Sequence, residues 1–249
     1  MKQIMEEKAQ NYKNGKINYV TEKVVKDSTI TLTINNEISR SLSAIEDSLE
    51  EFAVGYLFNE NMVKSIDDIE KIEINKNHIN VEIDDKLLKT KETVLCSDSS
   101  GGWRSKIKEI EPISSDFQVE ADELINRIEE LKNNAQIWQA TGGTHVAGIV
   151  YKNNFIVKED VSRHVAVDKV IGYGILHNYD LSNSYIIYSG RMPADMVIKI
   201  VRAGIPVLAS NAAPAYSGCE TAKKGNVTLV GFLRGQRFNV YNNKNRIIF

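Results

Sequence analysis

The stretch Thr141–Gly172, TGGTHVAGIVYKNNFIVKEDVSRHVAVDKVIG, decides how the chain is read. Two apolar strand runs, HVAGIVY and FIVKED, follow a Gly-Gly turn, and a helix opens at Ser162-Arg163-His164. Ordinary packing does not ask for Gly142-Gly143-Thr144-His145 between two structured segments. Glycines there permit positive φ and close backbone approach, while Thr144 and His145 supply short polar handles. Past this stretch the pattern alternates: strand SYIIYS, a helix with Pro193 in its first turn and Gly204 at its end, strand PVLAS, a helix from Pro214 to Lys224, strand VTLVG. Strands spaced by helices in this way predict parallel pairing with right-handed crossovers. The second half therefore reads as an α/β domain.

Upstream the signals are different. Residues 1–16 read as a flexible tail. NYVTEKVV, STITLTIN and EISRSLS are β-rich runs, and Thr29–Ile34 alternates at period two, the mark of a half-buried strand, with an Asn35-Asn36 turn after it. A helix follows, with Ser48 and Glu51 spaced as a capping box and Leu49, Phe52, Ala53, Tyr56 and Leu57 on one face. IEKIEIN and HINVEID are two further strands, with His78 at a solvated turn. The segment Thr93–Arg104, TVLCSDSSGGWR, has no period and reads as a loop. Phe117, Ala121, Leu124, Ile125, Ile128 and Leu131 then mark an amphipathic helix. The expected organisation is a β-rich domain over 17–115 carrying the Cys96 loop, and a C-terminal α/β domain over 116–249.

The chain of 249 residues is 42% hydrophobic and 26% charged, a composition able to bury a real core. A formal net charge of −2 gives no global pull toward nucleic acid or anionic membrane, so any anion site is local. No apolar run is long enough to span a bilayer, and the polar N-terminus is unlike a signal peptide. Two cysteines, Cys96 and Cys219, cannot make a disulfide framework, which points to a reducing cytoplasm, and they rule out a Cys-rich zinc site.

Ligands of open parallel sheets bind outside the carboxyl ends of the strands. Three such ends are Ser189-Gly190-Arg191, Ala209-Ser210-Asn211 and Gly231-Phe232-Leu233-Arg234-Gly235-Gln236-Arg237. If these strands are neighbours, Arg191, Arg234 and Arg237 converge on one rim, with Ser210 and Asn211 as neutral partners. Guanidinium groups suit bidentate contact with phosphate, and Arg163 opens a helix whose N-terminus also favours anions. An anionic, phosphorylated ligand is the expectation, against the plainer alternative of surface salt bridges. His164 and Asp168 share a helix face, compatible with an acid–base pair or a structural one. Asp160 precedes this helix as a cap, and His177 terminates it. Cys96, in a polar loop near Arg104 and Lys106, is the candidate nucleophile, whereas Cys219 falls in a helix as a core residue.

Taken together these motifs resemble the formate dehydrogenase accessory sulfurtransferase family (FdhD). The likeness lies in TGGTH at 141–145, KEDVSRHVAVDKVIG at 158–172, SGRMPADMVIKIVRAGIPVLAS at 189–210 and TLVGFLRGQRFNVY at 228–241, with SLEEFAVGYLF at 48–58 also fitting. The resemblance implies a sulfur carrier that takes persulfide sulfur from a cysteine desulfurase. It would pass that sulfur to the molybdenum (or tungsten) bis-molybdopterin guanine dinucleotide cofactor of formate dehydrogenase. It also implies a C-terminal domain like the cytidine-deaminase fold without zinc chemistry. By matching motif, Phe232–Arg237 would contact the cofactor, with Thr141–His145 nearby. Family likeness and apolar strand content together point to a homodimer.

One departure matters. The family's sulfur-carrying loop has a Cys-x-x-Cys pair, whereas this chain has Cys96-Ser97-Asp98-Ser99. A relay or disulfide between positions 96 and 99 is therefore impossible. Sulfur transfer uses one cysteine, or the protein is a non-catalytic chaperone that binds and delivers the cofactor. A zinc deaminase is rejected: no cysteine pair exists and no glutamate lies close to His145.

Overall fold

In the computed structural model, residues 2–88, 93–94, 104–105 and 110–249 are described. The N-terminus is not a frayed tail. Strands β1 (Ile4–Lys13) and β2 (Lys16–Val25) form an antiparallel hairpin with Ile4 opposite Val25 and Tyr12 opposite Ile17. Its turn is Asn14-Gly15, both residues at positive φ, the geometry that matches the right-handed twist of the flanking strands. Charged side chains on both strands hide the alternation that usually announces a strand.

A second hairpin, β3 (Ser28–Ile34) and β4 (Ile38–Ala44), turns through Asn35 and Asn36, again both left-handed. With β5 (Ile69–Asn75) and β6 (His78–Ile83) it makes a four-stranded sheet of order β4-β3-β6-β5. Ile30, Leu32, Ile34, Ile79 and Val81 pack on Phe52, Ala53, Tyr56 and Leu57 of α1 (Leu49–Asn59). The expected capping box at Ser48 and Glu51 does not form. Ser48 has left-handed φ, and both side chains instead receive Lys158 Nζ, at 2.7 and 3.0 Å.

A short antiparallel pair, β7 (Thr93–Val94) with β8 (Arg104–Ser105), comes next. Cys96 and Ser99 lie outside the described residues. Further on, β9 (Val119–Glu120) precedes α2 (Ala121–Asn134) and α3 (Gln136–Thr141). The helix starts after Phe117 because Val119 and Glu120 pair in parallel with β16 (Ile247–Ile248), and Phe117 instead contacts Tyr185 at 6.1 Å between rings.

The large sheet contains β10 (His145–Tyr151), β11 (Asn154–Asp160), β12 (Ser184–Tyr188), β13 (Val207–Ser210), β14 (Thr228–Arg234) and β15 (Arg237–Val240), in the order β11-β10-β12-β13-β14-β15. Only β12, β13 and β14 are mutually parallel. The strands β10 and β11 form a hairpin, and β10 inserts beside β12 in antiparallel sense. The alternation of strand and helix begins after β11, so the parallel rule applies from there. Helices α4 (Arg163–Leu176), α5 (Ala194–Arg202) and α6 (Tyr216–Gly225) bury one face of the sheet. Through Leu124, Ile128 and Leu131, α2 covers the other. The fold is thus α/β with a β-rich N-terminal layer, joined by the packing of α1 on α4. No helix among the described residues is long and apolar enough to cross a membrane.

Candidate functional site

The site is built where β10 leaves α3 and where the parallel strands end. Gly142 ends α3 in the left-handed conformation (φ 67) and donates its N–H to Trp138 O at 2.7 Å. Thr141 Oγ1 accepts the Gly143 N–H at 3.1 Å, and a side chain at Gly143 would collide with Val25 of the N-terminal hairpin. Thr144 is buried and donates to Glu159 Oε2 at 2.8 Å. Ser189 Oγ accepts the Val146 N–H at 3.0 Å and lies 3.4 Å from His145 Nδ1, which locks the exit of β12 onto the start of β10.

These elements enclose a cavity of about 440 Å³. The turn Gly142–Val146 lines it with Ser189 and Asn211, and Ile128, Leu131, Lys132, Ala135, Trp138 and Val161 complete the lining, a mostly apolar set with one ammonium. Its size and mixed lining are those of a small-molecule site. The structure thus brings Gly142, Gly143, Thr144, His145, Ser189 and Asn211 together. Trp138 escaped the sequence reading, because a lone tryptophan in a short helix before a glycine turn carries no pattern.

The arginines fall elsewhere. Arg234 and Arg237 face each other across the exposed Gly235-Gln236 turn, and Arg191 is exposed; none lines the cavity. Phe232 sits at φ 55, uncommon for a bulky residue, and donates its N–H to Ala212 O at 3.0 Å. Backbone held in this way re-aims the chain at a bulge, here between Gly231 and Arg234, and the Arg234 guanidinium lies 5.9 Å from the Phe232 ring centre. Leu233 is fully buried in the core beneath the sheet, so its side chain is not exposed at the turn. Ser210 Oγ is also buried, donating to Gly190 O at 2.7 Å and accepting from Ala212 N at 3.0 Å. Gly190 leaves room for the Tyr188 ring and for the Arg163 side chain, whose Cδ would stand 3.2 Å from an added Cβ.

The α4 motif resolves into ion pairs. Ser162 caps the helix by accepting the Val165 N–H. Asp160 does more than cap: Oδ1 accepts from Ser162 N at 3.0 Å, while Oδ2 accepts from Ile45 N at 3.0 Å and from Lys169 Nζ at 2.8 Å. Burial pushes the Asp160 carboxyl above the usual range, and the Lys169 ammonium opposes that. His164 and Asp168 each reach a neighbouring helix. The Nε2 of His164 lies 3.3 Å from Asp195 Oδ2, whereas Asp168 Oδ1 accepts from Lys199 Nζ and from Asn59 Nδ2 at 2.6 Å. Both are fully buried, so helices on either side supply their partners. This cluster bolts α1, α4 and α5 together, and none of its residues lines the cavity. Cys219 is half-buried against the helix-side core. No group of three or more His, Cys, Asp or Glu that could hold a metal occurs among the described residues.

Residues 25–248 match the model of the FdhD/NarQ family. A protein named sulfur carrier protein FdhD from Methanothermobacter thermautotrophicus is 48% identical over 230 residues, covering 92% of this chain and 93% of that one. Protein FdhD of Methanocaldococcus jannaschii is 34% identical over 231 residues, covering 92% of each. A crystal structure from Desulfotalea psychrophila, described as a candidate formate dehydrogenase accessory protein, has a TM-score of 0.82 at 26% identity, covering 98% of this chain and 99% of that one.

Proposed function

Because the chain belongs to the FdhD/NarQ family, we propose that it is a sulfur carrier serving a formate dehydrogenase. Cys96 attacks the outer sulfur of a persulfide on a cysteine desulfurase as a thiolate. The donor's S–S bond breaks, the donor leaves as its thiolate, and Cys96 holds the sulfur as a new persulfide. The molybdenum bis-molybdopterin guanine dinucleotide is the acceptor, bound as cargo and not as a resident cofactor. The observation that carries the reading is the edge where β12, β13 and β14 end side by side. There the Ser189–Arg191, Ser210–Asn211 and Phe232–Arg237 exits share one sheet edge, with a mixed-lined cavity at the first two. Guanidinium groups at the outer turn suit the cofactor's phosphates, and the cavity suits an organic ring system.

A second reading is favoured by the sequence Cys96-Ser97-Asp98-Ser99. With serine at 99 the protein would bind and deliver the cofactor without carrying sulfur. Intact-protein mass spectrometry after incubation with a cysteine desulfurase and cysteine separates the two. A one-sulfur adduct on wild type and on Cys219→Ser, absent from Cys96→Ser, is expected for the carrier. The absence of any adduct from a protein that still binds guanosine diphosphate refutes sulfur carriage and leaves the chaperone.

A further inference from the structure

The N-terminal arm, β1 with β2, forms a sheet of its own and pairs with no third strand among the described residues. A two-stranded hairpin is marginally stable by itself in water, so a ribbon of this length calls for a surface to pack on. At its root β2 packs on α3, and Val25 lies against Gly143. Opposed residues of an antiparallel pair share a face. Val25 therefore marks the face turned toward the body, where Glu6 stands opposite Lys23. The outer face carries Met5–Val24, Glu7–Glu22, Ala9–Val20, Asn11–Asn18 and Lys13–Lys16. Like charges directly opposite each other destabilise a sheet. This one face nevertheless has two such pairs, Glu7–Glu22 toward the root and Lys13–Lys16 beside the turn, all four residues exposed. Within a single arm nothing offsets that repulsion.

The two clusters are related by symmetry. On β1, Glu7 and Lys13 stand equally far from Gln10; on β2, Glu22 and Lys16 stand equally far from Tyr19, the residue opposite Gln10. A two-fold axis at that level lays a second, antiparallel arm with its lysine pair over this glutamate pair and its glutamates over these lysines. Ala9, near the axis, leaves room for the two ribbons to approach to the spacing of stacked sheets, about 10 Å, which Glu and Lys side chains span together. We propose that this outer face is an isologous interface with a second copy of the chain, in which the arms lie antiparallel and exchange charge clusters. It gives the expected homodimer a surface, and it holds whether or not the chain carries sulfur. The face is about 33 Å long and about 10 Å wide. Two copies therefore bury less than about 1,000 Å², the range of reversible dimers that form and part with concentration.

Sedimentation equilibrium of the full chain at low salt, from about 1 μM to about 1 mM, tests this. Wild type is expected to pass from monomer to dimer across that range, and to do so less readily as salt screens the charges. Lys13→Glu with Lys16→Glu, and separately Glu7→Lys with Glu22→Lys, set like charge against like across the axis, and each protein stays monomeric. Both double variants keep a like-charge pair inside the ribbon, so the arm itself changes little. Mixed in equal amounts, the two recover a dimer holding one copy of each, which misfolded arms could not do. A wild type that stays monomeric throughout overturns the interface. So do double variants that dimerise as wild type does, or a mixture that fails to recover the dimer. Loss of the dimer in Tyr12→Ser with Ile17→Ser, while the charge-reversed proteins keep it, moves the contact to the opposite face of the arm and also overturns the proposal.

Discussion

Replacing Gly172 by alanine drives apart the two helices that join the N-terminal layer to the C-terminal sheet. An added Cβ would stand 1.8 Å from Glu51 O and 2.8 Å from Gly55 N, both backbone atoms of α1. Ordinary contact begins near 3.4 Å, so α1 and α4 must separate by about 1.6 Å. No rotamer change relieves a clash between a Cβ and a carbonyl oxygen. The cost therefore falls at or beyond the upper end of overpacking penalties, about 3 kcal/mol. Alanine returns about 1 kcal/mol through its better helix propensity, leaving a net loss of about 2 kcal/mol. For a chain of this size that lowers Tm by roughly 4–8 °C. Gly174→Ala, in the same helix, is the control. Its added Cβ meets the side-chain ends of Ile149 and Leu181 at 3.0 and 3.2 Å, which can shift, and Tyr179 Cβ at an ordinary 3.7 Å. Thermal unfolding followed by circular dichroism should rank wild type and Gly174→Ala well above Gly172→Ala. A Tm for Gly172→Ala equal to or above wild type would refute the backbone contact between α1 and α4.

Other outcomes follow from the buried charges and phenols. Lys199→Met strands the Asp168 carboxylate in the core and should cost about 3–5 kcal/mol in urea unfolding, whereas the double variant Lys199→Met, Asp168→Leu recovers much of it; equal losses in the two proteins would show that the pair is not coupled. Burial holds the Tyr188 hydroxyl well above its ordinary pKa. A raised folded pKa means stability is complete below the unfolded value, near 10, and is lost as pH rises above it. Each such tyrosine steepens that alkaline decline by about 1.4 kcal/mol per pH unit. Tyr188→Phe should therefore show a shallower decline of stability above that pH, and an unchanged slope would mean that the phenol ionises in the folded protein.

Local signals carried much of the fold. The Asn35-Asn36 turn, the helix start at Ser162 and the Gly204 terminus form as their residue types dictate, because each is decided within a few residues along the chain. Where the reading failed, a distant partner had intervened. Asn14-Gly15 is as strong a turn signal as Asn35-Asn36, yet the charged strands around it concealed the β1–β2 hairpin. Ser48 and Glu51 have the spacing of a capping box, but Lys158 reaches both. The spacing of His164 and Asp168 left an acid–base role and a structural one open, and the tertiary structure adds Asp195 beside His164 and Lys199 and Asn59 beside Asp168.

The amino-acid sequence by itself determined the strand–helix alternation, the family motifs and the candidate residues at strand exits, since these are written in short periods and fixed spacings. The tertiary structure alone decided which of those residues meet. Sheet order set β10 between β11 and β12, and so placed the Gly142–His145 turn beside Ser189, 44 residues on from His145. The same order separated the cavity from the arginine turn and spent Ser210 and His164 inside the core. Contacts of this kind join residues more than a hundred positions apart, as Ile45 with Asp160 and Asn59 with Asp168. Packing of whole layers sets them, and no local pattern in the chain encodes that packing.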